Sequence, residues 1–183
     1  MDNTQRIDPA LQKYLHTFIR SIQDFPKPGI LFRDITPLLA DKDALAQTIA
    51  GMAEPFRNRQ IDRVVGIESR GFILGTAIAR ELNCGFVPVR KPHKLPAQTI
   101  RQEYALEYGT DTLEMHADAV QPGQQILMVD DLLATGGTMQ ASCQLVERLG
   151  GKILGLSFLI ELAFLKGRSR LPGYDLHCLL TFV

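Results

Sequence analysis

Apolar residues follow two patterns along the chain. In some segments they recur every three or four positions, which is typical of a helix with one buried face. This pattern predicts helices at about residues 8–23, 42–56, 71–82 and 138–149. Elsewhere they form short, nearly continuous runs, which are typical of strands buried on both faces of a sheet. These runs predict strands at residues 63–67, 85–89, 125–129, 153–160 and 176–182.

From the first of these strands onward, strands alternate with helices. That order predicts an α/β fold with a doubly wound, mainly parallel sheet flanked by helices. Residues 104–108 and 111–116 add a predicted hairpin around Gly109. Residues 25–32 contain two prolines and a glycine, so we expect an ordered loop there rather than a helix. Because ligands of parallel sheets bind beyond the carboxyl ends of the strands, functional residues are expected just after each strand.

Composition narrows the class of protein. A chain of 183 residues is expected to be one domain, and its 20 basic and 20 acidic residues balance. That balance argues against a generally basic nucleic-acid-binding protein. Cys84, Cys143 and Cys178 are scattered, and the four histidines lack metal-binding spacing, so we expect reduced thiols in a cytoplasmic protein. The most apolar stretch, 153–165, contains Glu161 and is too short to span a membrane.

A possible phosphate site follows the strand at 125–129. Loop 134–138, Ala-Thr-Gly-Gly-Thr, opens a predicted helix, and free N–H groups at a helix N-terminus suit a phosphate. The loop lacks the lysine of the nucleoside-triphosphate P-loop. Just before it, the adjacent carboxylates of Asp130 and Asp131 repel each other and need hydroxyl, amide or hydrated-cation partners. A ribose phosphate would satisfy both features, whereas a plain strand-to-helix turn would explain the glycines alone.

Residues 126–139 resemble the phosphoribosyl diphosphate signature of the type I phosphoribosyltransferases. The resemblance implies that Asp130 and Asp131 hold the ribose hydroxyls. It implies that the 5′-phosphate is bound by Ala134, Thr135, Gly136, Gly137 and Thr138. It also implies the type I fold in a single domain over 1–183, with an N-terminal helix and base-binding hood at about 1–36, a core at about 37–183 and a lid at about 90–109.

The stretch at residues 25–34 reads, on its own, as a proline-rich connector packed on the core. It resembles the base-binding hood of adenine phosphoribosyltransferases. The resemblance implies that the main chain near Leu31 and Arg33 reads the amine and a ring nitrogen of adenine. Phe32 is then expected to pack near the base.

The segment at residues 66–72 follows the first predicted strand of the core. Arg70 follows a predicted strand and precedes a helix, which suits an oxyanion, although a surface pair with Glu68 would explain it equally well. The resemblance implies that this loop, with Ser69 and Arg70, binds pyrophosphate. It also implies a cis peptide bond between Glu68 and Ser69.

Positive charge clusters at residues 90–96, Arg-Lys-Pro-His-Lys-Leu-Pro. Taken alone, this stretch is a solvated loop, and a nucleic-acid surface is a poorer interpretation because no aromatic residue lies between 90 and 103. The resemblance implies that Lys91 contacts pyrophosphate and that Lys94 belongs to a mobile lid that excludes water. His93 stands where similar proteins usually have glycine.

The end of this lid resembles the family at residues 104–109. Viewed alone, Glu107 would be a strand-surface residue. The resemblance implies that Glu107 lies beside the base as a catalytic carboxylate, with Arg70 and Lys91 as the other catalytic residues. Tyr108 is expected to help hold the lid closed.

The resemblance as a whole implies purine salvage. The expected reaction transfers the phosphoribosyl group of phosphoribosyl diphosphate to N9 of adenine, giving AMP and pyrophosphate. Mg²⁺ is expected as the cofactor, held mainly by the substrate's pyrophosphate and ribose hydroxyls and by no direct protein ligand. A cytoplasmic homodimer without nucleic-acid or membrane partners is implied. Alternatives are a phosphoribosyltransferase for another base, or a purine-sensing regulator, for which the roughly 24 residues before the hood are expected to be too few to form a DNA-binding domain.

Overall fold

The computed structural model describes residues 8–105 and 109–183. In chain order, its helices and strands are α1 (Pro9–His16), β1 (Arg20–Gln23), β2 (Leu31–Asp34), α2 (Thr36–Ala40), α3 (Lys42–Ala53), β3 (Arg63–Ile67), α4 (Arg70–Glu81), β4 (Gly85–Val89), β5 (Thr99–Ala105), β6 (Thr110–His116), β7 (Gln125–Leu133), α5 (Gly137–Arg148), β8 (Lys152–Leu162) and β9 (Leu176–Phe182). Short 3-10 turns lie at Glu54–Phe56, Ala163–Leu165 and Gly167–Arg170.

Five parallel strands form the central sheet in the order β4-β3-β7-β8-β9. The chain first adds β4 to one side of β3 and later returns to place β7 on the other side. The strand order therefore reverses between β3 and β7, and a crevice opens at the carboxyl ends of strands at such a point. The predicted strands are confirmed, but β7 runs on to Leu133, so Asp130 and Asp131 lie within the strand rather than after it.

Helices cover both faces of this sheet, as the alternation of strands and helices predicts. Neighbouring strand residues point to opposite faces, so Val64 packs in the cluster with Met52 and Ile78 of α3 and α4. Val65 packs on the other face, in the cluster that includes Leu145 of α5. Burial on both faces explains why these strands are nearly continuous apolar runs.

The N-terminal region differs from the prediction. Asp8 caps α1 by accepting a hydrogen bond from the Ala10 N–H at 2.9 Å, but the helix ends at His16 instead of near residue 23. Residues 20–23 form β1, which pairs antiparallel with β2. Pairing with a distant segment has overridden the helical spacing of the apolar residues. Helix α2 was not predicted.

The second hairpin, β5–β6, is confirmed, although β5 begins at Thr99 and so takes in residues assigned to a polar loop. Its inner face buries Leu113 and Met115 in the same cluster as α5. The hairpin therefore lies on the α5 face of the sheet. Within the part of the chain that the structure describes, no helix has both the length and the apolar character needed to cross a membrane.

Candidate active site

A cavity of about 360 Å³ lies at the carboxyl ends of β3 and β7, where the strand order reverses. It brings together segments that are far apart in sequence. The predicted site residues that line it are Ser69, Arg70, Lys91, Asp130, Asp131, Ala134, Thr135, Gly136 and Thr138. The lining also includes residues that the sequence did not single out for the site, namely Glu68, Tyr104, Leu113, Leu132, Leu133 and Met139.

Loop 134–138 forms one end of the cavity and leads into α5. Gly136 occupies the N-cap position with φ +83°, a left-handed conformation that favours glycine, and Gly137 is the first residue of the helix. No side chain caps this helix N-terminus. Its first N–H groups therefore remain available to an anion, and the helix dipole adds a partial positive charge there.

The two adjacent aspartates have different surroundings. Asp131 is only 6% exposed, and its Oδ2 accepts a hydrogen bond from Arg70 Nε at 2.5 Å. The carboxylate of Asp130 accepts the N–H of Asp131 at 2.9 Å and lies close against the backbone of Gly71, where a Cβ would come within 2.9 Å of Oδ1. Loss of hydration, together with the neighbouring charge of Asp131, raises the pKa of Asp130 well above its usual value.

Arg70 begins α4 directly after the cis peptide bond between Glu68 and Ser69, as the resemblance implied. The alternative that Arg70 pairs with Glu68 is wrong. Glu68 instead accepts hydrogen bonds from the Arg90 guanidinium and from the Lys91 N–H at 3.1 Å. Burial lowers the pKa of Arg70, but the charge and hydrogen bond of Asp131, together with the charges of Asp130 and Asp34, outweigh burial, and the net shift is upward.

Lys91 reaches the cavity from the segment after β4. Its Nζ forms an ion pair with Asp111 and lies 3.2 Å from the Tyr104 hydroxyl. Burial alone would lower the pKa of Lys91, but its hydrogen bonds to Asp111 and Tyr104 raise it. The Tyr104 hydroxyl also lies 3.5 Å from Oγ1 of Thr138. Tyr104 thus links the β5–β6 hairpin to the start of α5.

Sequence reasoning missed the roles of Tyr104 and Asp111. The two residues are directly opposite each other in the hairpin register, so their side chains share one face. Alternation along β5 and β6 could have placed them together. They reach Lys91 only because the hairpin folds over the cavity. The spacing of residues along the sequence does not predict that contact.

The segment expected to form the hood, at about residues 1–36, contains the β1–β2 hairpin, and the name hood is kept for it below. Its Leu31 is 42% exposed, and its Phe32 ring centre lies 5.8 Å from the Arg70 guanidinium carbon, which places the hood beside the cavity. The guanidinium of Arg33 hydrogen bonds to Ser21 and lies 4.1 Å from the ring centre of Phe182. These two contacts hold the guanidinium group of Arg33.

Other predicted site residues lie elsewhere. Lys94 is not in the cavity lining, and its carbonyl accepts a hydrogen bond from the Arg90 guanidinium at 3.2 Å. Glu107 and Tyr108 lie outside the described residues. Among residues 8–105 and 109–183, no group of three or more His, Cys, Asp or Glu side chains is arranged to hold a metal ion.

Comparison with known proteins identifies this arrangement. The sequence profile of the phosphoribosyl transferase domain matches residues 37–177. A protein of Acidobacterium capsulatum named adenine phosphoribosyltransferase is 59% identical over 168 residues, covering 92% of this chain and 93% of that protein. This chain belongs to the adenine phosphoribosyltransferases. The expectation of a type I phosphoribosyltransferase fold is confirmed.

Solved structures of other adenine phosphoribosyltransferases share the fold. The enzyme of Rhodothermus marinus superposes with a TM-score of 0.91 at 52% identity, over 94% of this chain and 99% of that one. The Saccharomyces cerevisiae enzyme, solved with adenine and an imino-altritol bisphosphate, has a TM-score of 0.87 at 37% identity, over 93% and 98% of the two chains.

Proposed function

We propose that this protein transfers the 5-phosphoribosyl group of phosphoribosyl diphosphate to N9 of adenine, giving AMP and pyrophosphate in purine salvage. One observation carries the proposal. A single cavity holds an acid pair, an uncapped helix N-terminus and two cationic side chains, Arg70 and Lys91. These are the groups that a sugar with a phosphate at one end and a diphosphate at the other requires.

The phosphate loop, residues 134–138, binds the 5′-phosphate through the free N–H groups at the start of α5 and the hydroxyls of Thr135 and Thr138. Asp130 and Asp131 accept hydrogen bonds from the ribose hydroxyls. This remote binding fixes the position of the anomeric carbon relative to the base. Support comes from the placement of the acids and the loop along one wall of the cavity.

In the reaction, the bond from the anomeric carbon to the pyrophosphate oxygen breaks and a bond to adenine N9 forms. Positive charge develops on the ribose ring, as in glycoside cleavage, and the aspartates oppose it. Negative charge develops on the leaving pyrophosphate, and Arg70 and Lys91 stabilise it. Each cation has a carboxylate partner in the cavity region, Asp131 or Asp111, and must be shared with the pyrophosphate.

Adenine lies between the hood and the cavity. The main chain near Leu31 and Arg33 reads its edge, and Phe32 packs beside it. Glu107 takes up the N9 proton or holds the purine in the tautomer that attacks. The roles of Glu107, and of Lys94 and Tyr108 in closing the lid, rest on the sequence resemblance.

Mg²⁺ is the cofactor in this proposal. Of the carboxylates in the cavity lining, Glu68 is paired with Arg90 and Asp131 is paired with Arg70. The lining therefore offers too few free carboxylates for a site made by protein alone, which suits an ion held mainly by the substrate's diphosphate and ribose hydroxyls. When bound, the ion neutralises charge on the leaving pyrophosphate.

We also propose that the protein acts as a homodimer in the cytoplasm. The homodimer is carried by the sequence resemblance, and Ile73 and Phe164, which are 49% and 59% exposed, are the apolar side chains that a partner would cover. Cys84, Cys143 and Cys178 are free thiols, which suits a reducing compartment. Sedimentation equilibrium tests the dimer directly, and a monomer at micromolar concentration would contradict it.

The test of the reaction is pyrophosphate release from phosphoribosyl diphosphate and Mg²⁺ with a panel of bases. We expect turnover with adenine and little with hypoxanthine, guanine, xanthine, orotate or uracil. The control is a variant that carries both Asp130→Asn and Asp131→Asn, which should lose most turnover. Preference for another base would overturn the assignment of the hood. Tight binding of phosphoribosyl diphosphate without turnover of any base would point to a purine-sensing regulator.

A further inference from the structure

Residues 163–170 form a short strap between β8 and β9, made of two 3-10 turns. None of its residues lines the cavity. The strap nevertheless packs directly against the outside of the phosphate loop, at Gly167.

The contact between strap and loop is made by backbone. A Cβ added to Gly136 would come within 2.5 Å of the Gly167 carbonyl oxygen. A Cβ added to Gly167 would overlap the carbonyl oxygen of Ala134 and come within 2.9 Å of the Leu133 side chain. Two glycines therefore let the main chains meet with no side chain between them. Because nothing compressible separates them, a displacement of the strap is transmitted to the phosphate loop.

Arg168, the residue after Gly167, anchors the strap. Its guanidinium makes two parallel hydrogen bonds to the carboxylate of Glu161, at 2.7 and 2.9 Å. A third hydrogen bond, from Nη1, reaches the Leu176 carbonyl oxygen at 3.3 Å. Glu161 is 5% exposed and belongs to β8, and Leu176 begins β9. One side chain thus ties the strap to both neighbouring strands.

The geometry depends on the planar fork of arginine. A lysine could keep the charge opposite Glu161, but it could not make the two parallel bonds and also reach the Leu176 carbonyl. The buried carboxylate makes the anchor specific, because Glu161 without a cation would be a buried unpaired charge. The charge and the planar geometry of the Arg168 guanidinium together fix the position at which Gly167 meets the phosphate loop.

We propose that Arg168 and Glu161 are positioning residues that hold the phosphate loop in its anion-binding shape and so set the affinity for the 5′-phosphate end of the substrate. This inference rests on the proposed function. Neither residue touches substrate. They act through Gly167 and Gly136, so their loss should weaken binding of the sugar phosphate while leaving recognition of adenine unchanged.

The experiment compares Arg168→Lys with the wild type. We expect the KM for phosphoribosyl diphosphate and the Kd of ribose 5-phosphate, measured by calorimetry, each to rise about ten-fold. The KM for adenine should stay within about two-fold, because the hood is untouched. Glu161→Gln should give the same pattern. Unchanged Kd and KM values in folded Arg168→Lys would overturn the proposal.

A matched control is Arg59→Lys. Arg59 also bonds a carboxylate and a carbonyl, Asp175 at 2.5 Å and Leu154 at 3.0 Å, and neither of these partners belongs to the strap. We expect this variant to keep the wild-type Kd for ribose 5-phosphate. A loss equal to that of Arg168→Lys would mean that general loosening, and not the strap, is responsible, and would overturn the proposal.

A second variant separates folding from positioning. Glu161→Leu combined with Arg168→Leu removes both charges, a change that often preserves stability, so its melting temperature should stay near that of the wild type. It should still bind ribose 5-phosphate weakly, because the fork is gone. Wild-type affinity in this folded double variant would overturn the positioning role alone. A wild type that neither binds ribose 5-phosphate nor turns over adenine would instead overturn the proposed function.

Discussion

Asp130 and Asp131 illustrate how two identical side chains, one peptide apart, come to differ. Asp131 is paired with Arg70, whereas the pKa of Asp130 is raised by loss of hydration and by the charge of its neighbour. Asp130 therefore lies in a place that is unfavourable for a charged carboxylate. The ribose-binding role proposed for Asp130 would explain why a less costly residue does not stand there.

Asp130→Asn should therefore stabilise the empty protein at neutral pH while nearly abolishing turnover. Because the pKa of Asp130 is raised on folding, its carboxyl group is protonated in both states below about pH 4 and costs no stability there, and the cost grows as pH rises from that point through the folded pKa. The melting temperature of the variant should exceed that of the wild type by ~3 °C near neutral pH, and the difference should shrink toward acid pH. Asp131→Asn is the control, and it should destabilise because it leaves Arg70 without its partner.

Glu107 carries a second expectation at this scale. If it accepts the N9 proton or fixes the purine tautomer, Glu107→Gln should lower kcat by about 100-fold or more with little change in the KM for adenine. Steady-state kinetics at saturating phosphoribosyl diphosphate measure both constants. A variant with wild-type kcat would remove Glu107 from the mechanism.

At the scale of elements, the β5–β6 hairpin holds the partners of a proposed catalytic lysine. Asp111 forms an ion pair with Lys91, and Tyr104 connects both to Thr138. The ion pair places the Asp111 carboxylate on the ammonium group that is proposed to bind pyrophosphate. If Lys91 has that role, the hairpin competes with the substrate for it.

Asp111→Asn should release Lys91 and lower the KM for phosphoribosyl diphosphate by about three-fold, since the weaker neutral partner no longer competes for the ammonium. Tyr104→Phe, which keeps the ion pair, should leave that KM closer to the wild-type value. Initial-rate kinetics with varied phosphoribosyl diphosphate provide the measurement. A higher KM in Asp111→Asn would show that Asp111 positions Lys91 for the pyrophosphate instead.

These elements also show what local sequence can predict. The strand at 63–67 was predictable because it is buried on both faces and so is a nearly continuous apolar run. The end of α1 at His16 was not, because the strand that follows it is fixed by pairing with residues 31–34. The contact of Lys91 with Asp111 and the seat of Gly167 against Gly136 depend on chain segments that meet only after folding. The acid pair and the phosphate loop could be recognised from the sequence because they lie in one continuous segment, residues 130–138.

For the whole molecule, the reversal of strand order between β3 and β7 explains the site. It sets the loop that holds Arg70 beside the segment that holds Asp131, although the two residues are 61 positions apart. The zero net charge of the chain gives no sign of this cluster of charges, because each cationic side chain near the cavity forms an ion pair with an acidic one. These charges are balanced within the protein by the ion pairs of Arg70, Arg90 and Lys91.

Ligand binding should consequently be visible in global stability. A ligand that binds only the folded state at 100 times its Kd stabilises the protein by about 2.7 kcal/mol. Phosphoribosyl diphosphate with Mg²⁺ should raise the melting temperature, and excess EDTA should remove most of that rise. The variant with both Asp130→Asn and Asp131→Asn should show little rise under the same conditions. An equal rise with and without Mg²⁺ would contradict a role for the ion in substrate binding.

The phosphate loop, with no charged residue among positions 134–138, has a consequence for ionic strength. In the proposed binding mode, main-chain N–H groups attract the 5′-phosphate at short range through partial charges, whereas Arg70 and Lys91 attract the diphosphate through full charges that dissolved salt screens. Added salt should therefore weaken binding of phosphoribosyl diphosphate more than binding of AMP, which has no diphosphate. As salt rises, the nucleotide product should compete more effectively with the sugar substrate, so inhibition by AMP should deepen.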